Sequence, residues 1–319
     1  MTTLQISVLI PLLNEAESLP ELHNWIQQTL TKAKLSYEIL FIDDGSTDNS
    51  WQVIKSLQAK DPQVRGVKFM QNYGKTAALN TGFKLVKGEV IITMDADLQD
   101  NPEEIPELYR KITADGYDLV SGWKKKRHDP VLSKNLPSKL FNWAARKISD
   151  VQLHDFNCGL KAYAKRVTDH IVIYGEMHRY IPVIAKWNGF DKIGEQVVQH
   201  QARKYGTTKF GLDRFINGFL DLMSITFVNK FGKRPMHFFG AMGVLSFFIG
   251  TIITLYLISL KIYNIYHHLP YRNVTDNPLF FIALVAVLIG SQLFLAGFLG
   301  ELLVKENISK HDYLIADEI

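Results

Sequence analysis

The sequence predicts an α/β protein with a mainly parallel sheet, followed by interfacial amphipathic helices and a two-helix transmembrane hairpin. Three observations predict it. Apolar, β-branched runs alternate with helix-period segments as far as Ser121, the rhythm of repeated strand–helix–strand units. Two carboxylates, Asp95 and Asp97, follow one of those runs directly, at the strand end where open α/β sheets place ligands. Two long stretches near the C-terminus are almost free of charge: 238–260 carries none and 279–304 carries only Glu301. Each is long enough to cross ~30 Å of hydrocarbon as a helix.

The elements follow in order. Residues 6–13 read as the first strand and 15–30 as an amphipathic helix. Residues 37–42 are the second strand, and 48–59 a helix capped by Thr47 or Asp48. A strand over 64–70, a helix over 76–86 and a strand over 90–94 come next. The last is entered from Lys87-Gly88 and reads as buried on both faces. Pro102 opens a helix over 102–113, and 118–121 is a short strand. Beyond Ser121 the rhythm breaks. The segment 122–137 carries Lys124, Lys125, Lys126, Arg127, His128 and Lys134, either a lid over an anionic ligand or a solvated surface. A basic and aromatic helix over 138–148 suits a membrane surface or an ordinary core-facing position. A second amphipathic helix over 209–231 sets Phe215, Phe219, Leu222, Met223 and Phe227 at helical spacing, directly before the first span. In the second span Ala286/Gly290 and Ala296/Gly300 permit close helix contact, within one hairpin or between subunits. The expected division is a globular domain over 1–208, a juxtamembrane helix over 209–234, and the hairpin with a short tail over 235–319.

Bulk properties narrow the function classes. The 319 residues are 47% hydrophobic, enough for one large or two ordinary domains. A net charge of +4 argues against a nucleic-acid partner. The single cysteine, Cys158, excludes an intramolecular disulfide and fits a reducing compartment. Met1 to Gln5 lack a basic region and no small-residue cleavage site follows, so no secretory signal is expected. Lys230, Lys233 and Arg234 precede the first span, Lys305 and Lys310 follow the second, and the loop between holds only Lys261 and Arg272. That bias expects the N-terminal domain in the cytoplasm, on an inner membrane crossed twice.

Four segments are expected to meet at the carboxyl edge of the sheet. Pro11-Leu12-Leu13-Asn14-Glu15 ends the first strand, and Asn14 and Glu15 offer polar groups to a base or ribose. Asp43-Asp44-Gly45-Ser46-Thr47-Asp48 ends the second; a carboxylate there accepts from a base N–H or ribose hydroxyls, and the same residues also satisfy a turn and helix cap. In Gln71-Asn72-Tyr73-Gly74-Lys75-Thr76, Gly74 allows a close backbone approach and Lys75 faces a phosphate near a helix start. No Walker A loop and no G-x-G-x-x-G is present. The fourth is Asp95-Ala96-Asp97 with Gln99. Carboxylates at i and i+2 suit Mg²⁺ or Mn²⁺, which share their remaining positions with a diphosphate. Taken alone, such a pair is better read as a solvated acidic turn ending a strand.

Together, P-L-L-N-E, I-D-D-G-S-T-D, N-Y-G-K-T-A-A-L, D-A-D-L-Q-D-x-P-E, H-D-F-N-C-G-L-K-A, G-E-M-H-R-Y-I-P and Q-A-R-K-Y-G-T-T-K-F resemble family 2 glycosyltransferases of the GT-A fold. The resemblance is to the polyprenyl-phosphate glycosyltransferases, dolichyl-phosphate mannose synthase among them, and to their bacterial two-span members. It implies that Asp95, Asp97 and Gln99 hold the metal. It implies that Pro11, Asn14, Glu15, Asp43 and Lys75, with Asp44, Asp95 and Ala96, line the nucleotide-sugar site. Asp155 falls on the acceptor side, to orient sugar or acceptor, or to cap a turn. Glu176 and Arg179 stand one helical turn apart and could pair with each other. Arg203, Gly206, Thr208 and Lys209 match R-x-x-G-x-S-K-Y, with Thr for Ser and Phe210 for Tyr; a phenol contact at 210 is thereby excluded. Arg203 and Lys209 are the first expectation for the acceptor phosphate, Arg127 and Lys124 the second. The expected catalytic set is Asp97, Asp155 and Arg203.

The implied activity is transfer of a hexose, from UDP-glucose in the first instance, to undecaprenyl phosphate, with inversion. A GDP-mannose donor is the alternative. A processive polysaccharide synthase is disfavoured because Q-x-x-R-W and further spans are absent, and an inactive scaffold because Asp95, Asp97, Lys75 and Arg203 are intact. A transporter is disfavoured by spans nearly devoid of polar groups. The small-residue faces favour a homo-oligomer.

Overall fold

The computed structural model describes residues 4–125, 146, 151–202, 204–205, 227, 231, 234–306 and 315–318. The expected helices over 138–148 and 209–231 lie outside these residues apart from isolated positions, as does the basic segment beyond Lys125. The chain forms two units, Met1–Met223 with His311–Ile319, and Ser224–Lys310.

The first unit is built on a mixed sheet. Its strands are β1 (Ile6–Leu12), β2 (Tyr37–Asp43), β3 (Val64–Phe69), β4 (Val90–Thr93), β5 (Leu119–Trp123), β6 (Lys161–Ala164), β7 (Ile193–Val197) and β8 (Ile315–Glu318). Their order across the sheet is β7-β5-β6-β4-β1-β2-β3-β8. The centre is parallel: β1 pairs with β2 from Ile6↔Tyr37 to Leu12↔Asp43, and with β4 from Ile6↔Val90 to Leu9↔Thr93. Every residue of β1, β2 and β4 is buried, as a parallel sheet covered on both faces requires. Alternation sorts the β1 side chains. Ile6, Val8, Ile10 and Leu12 join the core with Leu19, Leu22 and Ile26 of α1 (Leu19–Lys32), Ile54 of α2 (Ser50–Lys60) and Leu108 of α4 (Ile105–Thr113). Leu9 points the other way, onto α3 (Lys75–Leu85), where a Cβ on Gly82 would lie 2.2 Å from a Leu9 methyl.

Two features of this unit differ from the sequence expectation. The rhythm break after Ser121 conceals β6, which enters between β4 and β5 antiparallel to both. Its register sets Lys161 beside Thr93 and Ser121, at the end of β4. The segment expected as a short tail of the hairpin supplies β8, which pairs antiparallel with β3. A sheet edge carries unpaired N–H and C=O groups, and an added strand satisfies them. Two helix starts also shift. Residues 14–18 are a turn, because the Glu15 N–H is taken by Ser50 Oγ at 2.9 Å. Asn49 takes the N-cap position of α2, and Asp48, one residue earlier, accepts from the Ser50 N–H at 2.9 Å and the Ala16 N–H at 3.2 Å.

The second unit holds α5 (Pro235–Tyr266) and α6 (Pro278–Glu306). Both are long and apolar enough to cross a membrane, and only 17% and 11% of their most apolar windows are buried. Core helices would be covered, so these apolar faces suit a lipid solvent. Small residues bring the two backbones into contact. A Cβ on Gly243 would sit 2.6 Å from the Gly290 carbonyl oxygen, and one on Gly250 would sit 2.5 Å from that of Ala283. Ser246 Oγ donates to the Ala286 carbonyl at 2.9 Å. Gly290 thus serves contact within the hairpin.

Candidate active site

The carboxyl ends of β1 and β4, the start of α3 and the turn before β6 surround one cleft, whose wall includes Pro11, Lys75, Asp95, Asn157, Gly159, Lys161, His178 and Arg179. Asp95 stands at its centre. Past β4 the chain alternates: Asp95, Asp97 and Gln99 are partly open, while Ala96, Leu98 and Asp100 are buried. Leu98 adopts φ +61°, a costly conformation for a side chain of its size. The Gln99 N–H donates to Asp97 Oδ1 at 3.2 Å, the Asp95 N–H to Asp100 Oδ2 at 3.3 Å, and the Gln201 N–H to the Gln99 carbonyl at 3.0 Å. These bonds hold the strained turn and fix the spacing of the two open carboxylates.

Three lysines offset the acidic charge. Lys75 Nζ pairs with Asp95 Oδ1. Lys124 Nζ lies 2.8 Å from Asp100 Oδ1. Lys161 is buried and donates to the Cys158 carbonyl. Burial works against ionising Asp95, but the charge and hydrogen bond of Lys75, aided by Lys124 and Lys161, pull its carboxyl down to about 2. Burial lowers the Lys161 ammonium. Burial also lowers Lys124, yet Asp100 more than restores it, and the net shift is upward. Cys158, another wall residue, is held as a thiol: burial pushes it up to about 12.

The loops expected to meet a nucleotide are joined by polar cross-links. Asn14, at φ +57°, accepts from the Thr47 N–H through Oδ1 at 2.9 Å, and its own N–H donates to Ser46 Oγ at 2.9 Å. Asp44 accepts from the Tyr73 N–H at 2.7 Å and the Gly74 N–H at 2.9 Å. Burial still raises its carboxyl above the usual range. Gly45, at φ +74°, is obligatory, since a Cβ there would lie 2.5 Å from the Gln71 carbonyl carbon. Asn14 and Asp44 therefore fix loops. Asp43 differs: Oδ1 accepts from the Ser46 N–H at 2.7 Å, whereas Oδ2 is buried, has no hydrogen bond among the described residues and lies 3.9 Å from Lys68 Nζ. Pro11 lines the cleft, and Glu15 Oε2 accepts from Ser18 Oγ at 3.2 Å.

Asp155, expected on the acceptor side, is buried and does not line the cleft. Its Oδ1 accepts from the Asn157 N–H at 3.0 Å, so it folds the turn that presents residues 156–159. Of the basic residues expected for the acceptor phosphate, Lys124 is committed to Asp100, and Arg203, Lys209 and Arg127 lie outside the described residues.

Sequence reasoning missed three participants. Gly159 is a cradle: a Cβ there would lie 2.7 Å from Asp95 Cγ and Oδ2. Lys161 gave a faint signal, a lysine inside an otherwise apolar run. Asp100 was visible only as one more acid after Gln99.

Among the described residues no cluster of three or more His, Cys, Asp or Glu side chains is arranged to hold a metal. Two partly open carboxylates, one strongly ionised, suit instead a hard cation that keeps most of its ligands from water and substrate phosphate.

Comparison with known proteins agrees with this geometry. Residues 7–172 match the model of "Glycosyl transferase family 2". The chain is 31% identical over 305 residues to a dodecaprenyl-phosphate galacturonate synthase of Rhizobium johnstonii, covering 95% of this chain and 88% of that one. It is 36% identical over 301 residues to an undecaprenyl-phosphate 4-deoxy-4-formamido-L-arabinose transferase of Shewanella sediminis, covering 93% and 86%. In fold it is similar to glucosyl-3-phosphoglycerate synthase of Mycobacterium tuberculosis solved with Mn²⁺ and UDP-glucose (TM-score 0.54, 19% identity, 70% of this chain and 78% of that chain). It is also similar to mannosyl-3-phosphoglycerate synthase of Rubrobacter xylanophilus (TM-score 0.57, 16% identity, 71% and 75%).

Proposed function

The chain belongs to glycosyl transferase family 2, and from that premise we propose that it moves a hexose from a nucleotide diphosphate sugar to a polyprenyl phosphate in the bacterial inner membrane. UDP-glucose is the first donor to test and GDP-mannose the second. The observation that carries this reading is the strained Asp95–Asp100 turn, which sets Asp95 in the cleft wall beside Lys75 and leaves Asp97 partly exposed two residues on. Both curated relatives are named for polyprenyl-phosphate chemistry. Two apolar helices in the same chain suit an acceptor whose tail stays in lipid.

Each end of the donor has a matching group. The unsatisfied Asp43 Oδ2 suits a base N–H, which uracil and guanine both supply. Asp95 and Asp97, with Gln99, would hold Mg²⁺ or Mn²⁺, which supplies charge stabilisation for the departing diphosphate. Lys75 stands where its ammonium can serve the same phosphates. The acceptor is a monoester with a second pKa near ~6, so at neutral pH it is largely a dianion and needs no general base. The protein must hold two anions in line, which Lys161 and, by proposal, Arg203 and Lys209 assist.

The test is Asp97→Ala, with lipid glycosylation and Mn²⁺ binding both measured. Turnover should fall on the order of 10²–10³-fold and ion binding should weaken, while the protein melts as the wild type does. Wild-type turnover would remove Asp97 from the site.

A further inference from the structure

We propose that the turn Met177–Tyr180 is an oxyanion-recognition element of the cleft, in which Arg179 and the Nε2–H of His178 bind an anionic group brought to Asp95. The inference rests on the transferase reading above and adds a substrate-recognising pair to it.

The sequence spacing suggests a Glu176–Arg179 pair, and the structure does not form it. Residues 177–180 are a 3₁₀ turn. The Glu176 carboxylate lies instead 3.7 Å from His178 Nδ1, outside hydrogen-bond range. Arg179 is half-buried in the cleft wall, and among the described residues its guanidinium makes no ion pair or hydrogen bond. A partly desolvated guanidinium whose donors meet no acceptor among the described residues is available to an anion, and it matches carboxylate and phosphate geometry closely.

His178 adds a neutral donor whose tautomer is set by its neighbour. Thr76 Oγ1 accepts from the His178 backbone N–H at 3.3 Å and lies 3.0 Å from Nδ1. The hydroxyl keeps its own proton to give, and the tautomer that accepts it at Nδ1 carries the ring proton on Nε2, the form this proposal uses. Burial, with Lys75 and Arg179 nearby, holds the imidazole neutral well below its usual pKa. The ring therefore donates at neutral pH without adding charge. Both side chains share the cleft wall with Asp95 and Lys161. The diphosphate already has Lys75 and the cation, so this pair is left for a different oxyanion. Two have the right chemistry: the phosphate monoester of the lipid acceptor, and the carboxylate of a uronic acid donor.

The experiment compares wild type, Arg179→Gln, Arg179→Lys and His178→Phe. Each is assayed with Mn²⁺, a short polyprenyl phosphate, and UDP-glucose or UDP-glucuronate. Calorimetry of the lipid phosphate and of each donor accompanies turnover. If the group is the lipid phosphate, Arg179→Gln raises the acceptor KM and weakens lipid-phosphate binding about tenfold to a hundredfold with either donor. If it is the sugar carboxylate, the same variant loses about tenfold or more of its preference for the uronate, and the acceptor KM holds. In either case Arg179→Lys recovers part of the loss and His178→Phe shifts the same parameter. The proposal is overturned if Arg179→Gln binds the lipid phosphate and both donors within twofold of wild type, or if kcat alone falls equally for both donors. A wild type that binds these ligands but glycosylates no lipid would instead sink the transferase reading. The binding arm still judges Arg179 in that case.

Discussion

At the scale of single residues, the cleft works by placing charge where charge will arrive. Asp95 is ionised because Lys75 is on it, not because water is. Asp100 and Lys124 form a second pair beneath the same turn, and Lys161 lies close enough to feel both Asp95 and Asp155. The site thus holds acids and bases in near balance before any substrate enters. Gly159 makes that packing possible. Gly159→Ala would drive a methyl group into the Asp95 carboxylate, 2.7 Å away. A side chain can yield where backbone cannot, so the fold should survive with a cost of about 1–3 kcal/mol, while kcat/KM falls tenfold or more as Asp95 leaves its place. Thermal melting and steady-state kinetics check the two halves. Wild-type kinetics in Gly159→Ala would mean that the position of Asp95 is unimportant.

At the scale of elements, legibility tracked local pattern. The strands β1 to β4 were readable because each is a short apolar run bounded by turn residues, and the ends of β1 and β4 line the cleft. Strand β6 was not readable. It is only four residues long, contains Lys161 and pairs antiparallel, outside the strand–helix–strand rhythm that marked the others. The start of α1 was misplaced because its decisive bond comes from Ser50, far along the chain. The roles of Asn14 and Asp44 were hidden for the same reason: their partners, Thr47 and Gly74 among them, lie 33 and 30 residues away. In the hairpin the small residues were visible, but which partner they served was not. Gly243→Leu should part the helices, since its Cβ would meet the Gly290 backbone at 2.6 Å. Melting in detergent should fall by several degrees, with no such change in Val244→Leu, whose side chain is 42% exposed. Equal melting of the two variants would contradict the contact.

At the scale of the whole molecule, one chain combines a nucleotide-sugar type of fold with two helices fit for a bilayer. Its last described strand, β8, completes the sheet that carries the cleft. The family requires an enzyme of glycosyltransferase type, and the hairpin gives a reason for a lipid acceptor. What joins them is the claim that sugar passes from a donor at Asp95 to a lipid-borne phosphate. The measurement that tests this most directly is mass spectrometry of a short polyprenyl phosphate incubated with the purified protein, Mg²⁺ or Mn²⁺, and a panel of UDP- and GDP-sugars. The account predicts one glycosylated lipid phosphate, formed with a single preferred donor and abolished by chelation with EDTA. A lipid left unmodified by every donor, or sugar released to water at the same rate with and without the lipid, would contradict it.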